Sequence, residues 1–75
     1  MLRVLVESTT LASAGHDASS AVLELQFRNG AVYQYFSVPQ EAFRSLLQAS
    51  SKGNFFHHNV HGKYPYKLIH GVPRP

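Results

Sequence analysis

The chain has 75 residues, of which 44% are hydrophobic, with a formal net charge of +3 and no cysteine. This length fits one domain, so we expect residues 1–75 to form a single domain, and the composition is that of a folded protein. The missing cysteines exclude a disulfide framework and a thiolate metal site. Because the apolar runs are too short for a signal peptide or a membrane span, we expect a cytoplasmic protein without membrane contact.

Charge is distributed unevenly along the chain. Residues 1–41 contain all four acids and two arginines, whereas residues 42–75 contain five basic residues and no acid. A basic C-terminal part suits an anionic partner. A solvated surface of mixed charge would have the same composition, so the charge pattern alone leaves both interpretations open.

The N-terminal part of the chain predicts two strands and a turn. Residues 2–6 are rich in valine and leucine, and residues 11–16 form a weaker second run. Residues 17–20 contain an aspartate and two serines, which are typical of a turn. We therefore expect the chain to begin with two short strands.

A β-hairpin is the clearest feature of the sequence. Residues 21–27 alternate between apolar and polar side chains, and residues 31–36 form the return strand. Between them lie Arg28, Asn29 and Gly30, which are residues of a hairpin connection.

The length of the connecting loop decides which face the tyrosines of the return strand occupy. A two-residue Asn-Gly turn would pair Phe27 with Val32, whereas a three-residue loop with Gly30 at positive φ would pair Phe27 with Ala31. We favour the three-residue loop, because it keeps Gln34 out of the core. The expected cross-strand pairs are then Leu25 with Tyr33 and Leu23 with Tyr35.

Two short helices are predicted after the hairpin. Pro39 suits the first turn of the first helix, because its missing N–H has no intrahelical partner there. Gly53 is expected to cap the C-terminus of this helix, Asn54 to cap the start of the second helix, and Gly62 to end it. Apolar residues at helical spacing predict the helical half of the core, which comprises Phe43, Leu46, Leu47, Phe55 and Phe56.

The last part of the chain predicts a short strand and a tail. Tyr64 precedes a proline and is therefore expected to be extended. Residues 67–69 can add a final strand, and residues 70–75 a frayed tail. The elements together predict an α+β fold, in which an antiparallel β-meander of three to four strands has two short helices packed on one face.

The order of these motifs resembles a known family. The hairpin LELQFRNGAVYQYFSVP, the following FRSLLQASSKGNFFHHNV and the closing YPYKLI are similar to the KTSC domain, a short bacterial module found at the C-terminus of some lysyl-tRNA synthetases and as stand-alone proteins. The resemblance covers about residues 8–69, with His16 where the family more usually has an aromatic residue. Through its fusion to a synthetase, the resemblance implies RNA as a ligand.

Histidines cluster near the end of the second predicted helix. His57 and His61 are four residues apart and would share a helix face, a spacing at which two imidazoles can bind zinc, and His58 lies between them. A third ligand would have to come from His16 or His70, in distant parts of the chain. We therefore expect no metal ion and no cofactor, and interpret the cluster as a polar face of neutral imidazoles.

No catalytic constellation stands out in the sequence. Ser50 and Ser51 do not lie in a Gly-x-Ser-x-Gly elbow. The chain has no acid after Glu41, so none follows these serines in sequence to orient a catalytic base. Lys52 with Gly53 falls far short of a Walker motif. We therefore expect a binding module without enzymatic activity.

The predicted function is weak binding of nucleic acid, above all of RNA, either tRNA or a single strand. Basic side chains would contact phosphates, and an exposed tyrosine would stack on a base. The alternative is a protein-interaction or assembly module that uses the exposed sheet face or an edge strand, as a monomer or a weak homodimer. The candidate nucleic-acid-binding residues are Arg44, Lys52, Lys63, Tyr64, Tyr66 and Lys67.

Overall fold

A computed structural model of the chain describes residues 1–73. Arg74, which contributes to the basic charge, and Pro75 lie outside the described residues. The elements are the strands β1 (Val4–Leu5), β2 (Leu11–Asp17), β3 (Val22–Phe27) and β4 (Val32–Tyr35), the helices α1 (Gln40–Gln48) and α2 (Lys52–Asn59), and the strand β5 (Tyr66–His70). Neither helix in this part of the chain is long and apolar enough to cross a membrane.

The predicted α+β class is confirmed, but the predicted number of strands was wrong. Five strands form one sheet in the order β1-β2-β3-β4-β5, and each is antiparallel to the next. β1 has only two residues, which pair with β2 as Val4 with Ala14 and Leu5 with Ser13. So short a ladder has almost no periodic signal in the sequence, which explains the smaller predicted sheet.

The β3–β4 hairpin has the predicted three-residue loop. Phe27 N–H donates to the Ala31 carbonyl at 2.9 Å, and Gly30 has a φ of 92°. Glycine reaches this left-handed region without a steric penalty, so the loop closes where the sequence places it. The predicted register is confirmed, because Leu25 pairs with Tyr33 and Leu23 with Tyr35.

One hydrophobic core lies between the sheet and the two helices. Leu46 of α1 and Phe56 of α2 are buried in it, and the Phe56 ring lies 5.2 Å from the Phe27 ring and 5.8 Å from the Tyr35 ring. The predicted helical half of the core is thus confirmed for Leu46 and Phe56. The other predicted core residues, which are half-buried and pack against this cluster, are Phe43, Leu47 and Phe55.

The helix boundaries differ from the prediction at both helix starts. Pro39 occupies the N-cap position of α1, one residue before the first helical position. Gly53 lies in the first turn of α2 and does not cap α1, and the N-cap of α2 is Ser51 rather than Asn54. Ser51 Oγ accepts the Asn54 N–H at 3.3 Å, which satisfies a backbone donor that has no intrahelical partner. Position 53 instead favours glycine because the backbone there lies too close to Thr10 to leave room for a side chain.

Candidate functional site

Both arginines of the N-terminal half make structural contacts. Arg3 lies 3.5 Å from the Glu24 carboxylate, whose other oxygen accepts Gln34 Nε2–H at 2.8 Å. Arg28 donates from Nε to the Ser8 carbonyl at 2.9 Å and from Nη2 to the Val6 carbonyl at 3.3 Å. These guanidinium groups fix the N-terminal segment on the sheet, so an anionic partner would rely on the basic residues of the C-terminal part.

The predicted site residues on the helices are placed on different elements. Arg44 is exposed on α1, whereas Lys52 is half-buried at the start of α2. Lys52 Nζ donates to the Ala49 carbonyl at 3.0 Å, which leaves two further N–H donors on the ammonium group. Lys52 therefore adjoins the connection between the helices, whereas Arg44 lies in the middle of α1.

The remaining predicted site residues lie on β5 and in the turn before it. Lys63 is exposed in the turn, and Tyr64 is half-buried and packs against the core. Tyr66 lies opposite the buried Tyr35 in the β4–β5 register, and Lys67 lies opposite Gln34. Because successive strand residues point to opposite faces, Tyr66 and Lys67 occupy different faces of the sheet.

Tyr66 is the exposed member of a cluster of three tyrosine rings. Its ring centroid lies 5.7 Å from that of Tyr33 and 5.8 Å from that of Tyr35, and both of these residues are buried. Tyr66 itself is 60% exposed. Tyr66 thus combines an exposed ring with contacts to two buried rings, so β5 carries an aromatic surface at the edge of the sheet.

A groove of about 500 Å³ lies between the β1–β2 loop and the start of α2. Residues 7–10 form one wall and residues 50–54 form the other, and Phe56 and His57 of α2 also line it. We call it the hydroxyl groove, because five of its lining side chains carry a hydroxyl group. These are Ser8, Thr9, Thr10, Ser50 and Ser51.

Local hydrogen bonds hold both walls of the hydroxyl groove. Ser8 Oγ accepts the N–H groups of Thr10 and Leu11 at 3.0 and 3.1 Å, and Ser51 Oγ accepts the Asn54 N–H. A serine oxygen that already accepts a hydrogen bond retains its own O–H proton for another acceptor. The groove can therefore offer hydrogen-bond donors from both walls.

The sequence and the fold of the chain match a known family. The model of the KTSC domain matches residues 7–64. The chain belongs to the KTSC domain family. A KTSC domain protein from Yersinia pestis has the same fold, with a TM-score of 0.90 at 38% identity, and the match covers 92% of this chain and 97% of that one.

Relatives of this KTSC domain include small proteins and much larger ones. An uncharacterised protein of Stutzerimonas stutzeri is 43% identical over 56 residues, which cover 75% of this chain and 79% of that protein. A lysine–tRNA ligase of Trichormus variabilis is 35% identical over 54 residues, which cover 72% of this chain but only 10% of the ligase. The domain thus occurs in that ligase as a small part of a longer chain.

The histidines of this KTSC domain form a surface cluster. The rings of His57 and His61 are stacked, with centroids 5.9 Å apart, and His58 lies 5.4 Å from His57. His16 lies on β2, apart from this cluster. Its Nε2–H donates to the Val38 carbonyl at 2.7 Å, and its ring stacks on Phe43. Within residues 1–73, no group of three or more His, Cys, Asp or Glu side chains is placed to hold a metal ion.

Lys52 is one of the predicted site residues, but the prediction did not include its neighbours in the hydroxyl groove. Ser8, Thr9 and Thr10 belong to a loop that precedes β2, far from Lys52 in the chain. The sequence does contain a signal for the groove, namely two short segments rich in hydroxyl residues, ESTT and SSKGN. These two segments face each other in the structure. Their pairing depends on the tertiary fold, which no local pattern specifies.

Proposed function

We propose that this KTSC domain is a non-catalytic accessory module that binds RNA weakly. The observation that carries the proposal is the exposed ring of Tyr66, which two buried tyrosines support on the edge strand β5. Lys63 and Lys67 lie on either side of it in the chain. Proteins that bind single strands combine base stacking on aromatic rings with lysine contacts to phosphates.

The position of β5 at the edge of the sheet suits a strand that runs along this edge. Tyr66 belongs to the face that carries the helices and Lys67 to the opposite face, so a nucleic acid on the edge can reach both. Arg44 and Lys52 lie on the helices, and α1 packs against β2 rather than β5, so these two cations would contact phosphates of an RNA that extends beyond the β5 edge. With so few cations, binding is weak and depends little on sequence.

One relative also supports this proposal through its name. The lysine–tRNA ligase of Trichormus variabilis, which contains a segment 35% identical to this chain, is named for a tRNA substrate. We propose tRNA or another RNA with an accessible single-stranded segment as the ligand.

Fluorescence anisotropy with a labelled single-stranded RNA tests the proposal at low salt. Tyr66→Ala should weaken binding by roughly 1–3 kcal/mol, whereas Tyr66→Phe should retain it, because phenylalanine keeps the stacking surface. The double variant Lys63→Gln with Lys67→Gln should weaken binding to all sequences alike, because phosphates carry no sequence information.

A charge-matched control separates local contacts from net charge. Ala18→Glu with Asn29→Asp also lowers the net charge by two, at exposed turn positions, and Asp retains the side-chain oxygen that accepts the Ala31 N–H. This control should bind RNA more tightly than the lysine variant. Equal loss in both double variants would refute a contact through Lys63 and Lys67.

The second candidate function is interaction with a protein partner through β5. This strand pairs with β4 and forms an edge of the sheet; Ile69 within it is 45% exposed, and Val72 just after it is 68% exposed. A free strand edge can accept an extended segment of a partner by β-augmentation. Capture of partners from a lysate, with and without nuclease, discriminates the two functions, because only RNA-dependent capture is lost on nuclease treatment.

A further inference from the structure

We propose that the hydroxyl groove binds the phosphate group of a phosphate monoester. The groove, about 500 Å³ in volume, lies within the range of small-molecule sites and has room for the phosphate and part of the group that carries it. Lys63, Tyr66 and Lys67 do not line it. The groove therefore shares Lys52, but no residue of β5, with the RNA contacts proposed above.

The donors of the groove suit a ligand that has only acceptor atoms at its binding end. The Oγ atoms of Ser8 and Ser51 already accept backbone N–H groups, so each hydroxyl is left with a proton to donate. Thr9 and Ser50 add two hydroxyl groups to the same lining. A phosphate offers acceptor oxygens to donors on both walls, which a cationic ligand cannot do.

Lys52 supplies the positive charge on the lining of the groove. Its Nζ is anchored on the Ala49 carbonyl at 3.0 Å and retains two N–H donors. His57 also lines the groove and can donate a hydrogen bond from its ring. Glu7 lies on the opposite wall and repels an anion. The phosphate is therefore expected on the Lys52 side, and Glu7 should limit the affinity.

The two walls are held at a fixed spacing by direct packing. A Cβ at position 53 would lie 2.5 Å from Thr10 Oγ1, so Thr10 and Gly53 touch across the groove. Both residues belong to its lining. Contacts of this kind keep donors on the two walls in place before a ligand arrives, which reduces the entropy that binding must overcome.

An NMR titration of the ¹⁵N-labelled protein with inorganic phosphate, against chloride at matched ionic strength, tests the site. Phosphate should shift the amide signals of Ser8, Thr9, Ser51 and Gly53 saturably, and chloride should not. Lys52→Gln should raise the dissociation constant about tenfold, as expected for loss of one charge-assisted hydrogen bond. The spectra themselves report whether each variant is folded.

Two further variants complete the test: Glu7→Gln should have the opposite effect to Lys52→Gln, and Lys63→Gln is the matched control. Glu7→Gln should lower the dissociation constant for phosphate, because it removes a negative charge from the groove. Lys63→Gln, with the same charge change as Lys52→Gln, should leave the constant unchanged. Equal effects of the two lysine variants, or identical shifts with chloride, would overturn the site in favour of diffuse electrostatics.

The source of the phosphate is distinguished by the probe. A 5′-phosphorylated RNA oligonucleotide that binds the groove more tightly than its unphosphorylated form identifies an RNA end, and the Tyr66→Ala variant should keep this preference. A nucleoside monophosphate that binds as well as the phosphorylated oligonucleotide identifies a small phosphate ester. The proposal is wrong if neither phosphate-bearing probe shifts the groove amides.

Discussion

Thr10 fills the space that a side chain at position 53 would need. A Cβ there would lie 2.5 Å from Thr10 Oγ1 and 3.1 Å from Thr10 Cβ. We expect Gly53→Ala to destabilise the domain by up to about 2 kcal/mol, because a cost of about 1–3 kcal/mol for overpacking is offset in part by a gain of about 1 kcal/mol in helix propensity. Urea denaturation measures this change. Thr10→Ala should reduce the penalty in a double-mutant cycle, and a Gly53→Ala protein that is more stable than wild type would contradict the contact.

Leu46 is the fully buried anchor of α1 in the core. Leu46→Ala should reduce the free energy of unfolding by about 2–5 kcal/mol, because it removes apolar contacts and leaves a cavity. A domain of this size has little stability to lose, so the variant should melt far below wild type or not fold. Leu47→Ala, at a half-buried position, is the matched control and should lower the melting temperature less. Equal melting temperatures for Leu46→Ala and wild type would rule out a buried Leu46.

Asp17 organises the turn between β2 and β3. Its carboxylate accepts the hydroxyl of Ser20 at 2.8 Å, and the hydroxyl and the N–H of Ser19 at 2.9 and 3.3 Å. These hydrogen bonds, above all the one from Ser20, hold the pKa of Asp17 below its ordinary value of 3.8, because they stabilise the charged carboxylate. Asp17 therefore contributes stability that is present above the ordinary pKa and is lost as the pH falls through the lowered pKa.

Removal of the strongest of these hydrogen bonds tests their role. Ser20→Ala should raise the pKa of Asp17 toward 3.8, which is measured by NMR titration of the carboxyl carbon. Ser50→Ala, in a different part of the structure, is the control and should leave this pKa unchanged. A pKa that is the same in Ser20→Ala and wild type would show that the hydroxyl does not stabilise the carboxylate.

The hairpin could be predicted because the information that specifies it is local. Gly30 marks the left-handed position of the loop, and Gln34 fixes which side of the return strand faces solvent. The boundary between the helices could not be predicted in the same way. Gly53 has the usual signature of a C-cap, but its role is a contact with Thr10, from a segment that is distant in the chain.

The candidate site shows the same division between local and tertiary information. The exposure of Lys63 and Lys67 can be expected from the residue type, because lysine is rarely buried. The contacts of Tyr66 with two buried tyrosines depend on the pairing of β5 with β4. The last strand was expected to begin at residue 67 and begins at Tyr66. With Tyr66 inside the strand, side-chain alternation separates it from Lys67, which the sequence-based prediction had not considered.

The salt dependence of RNA affinity is the most direct test of the proposed function. If Arg44, Lys52, Lys63 and Lys67 contact phosphates, the plot of log affinity against log salt should have a slope of about −3, from roughly −0.7 per contact on a single strand. Lys63→Gln with Lys67→Gln should reduce the slope to about −1.4. No binding at high-micromolar protein in low salt, or a slope that the lysine variant leaves unchanged, would contradict the account.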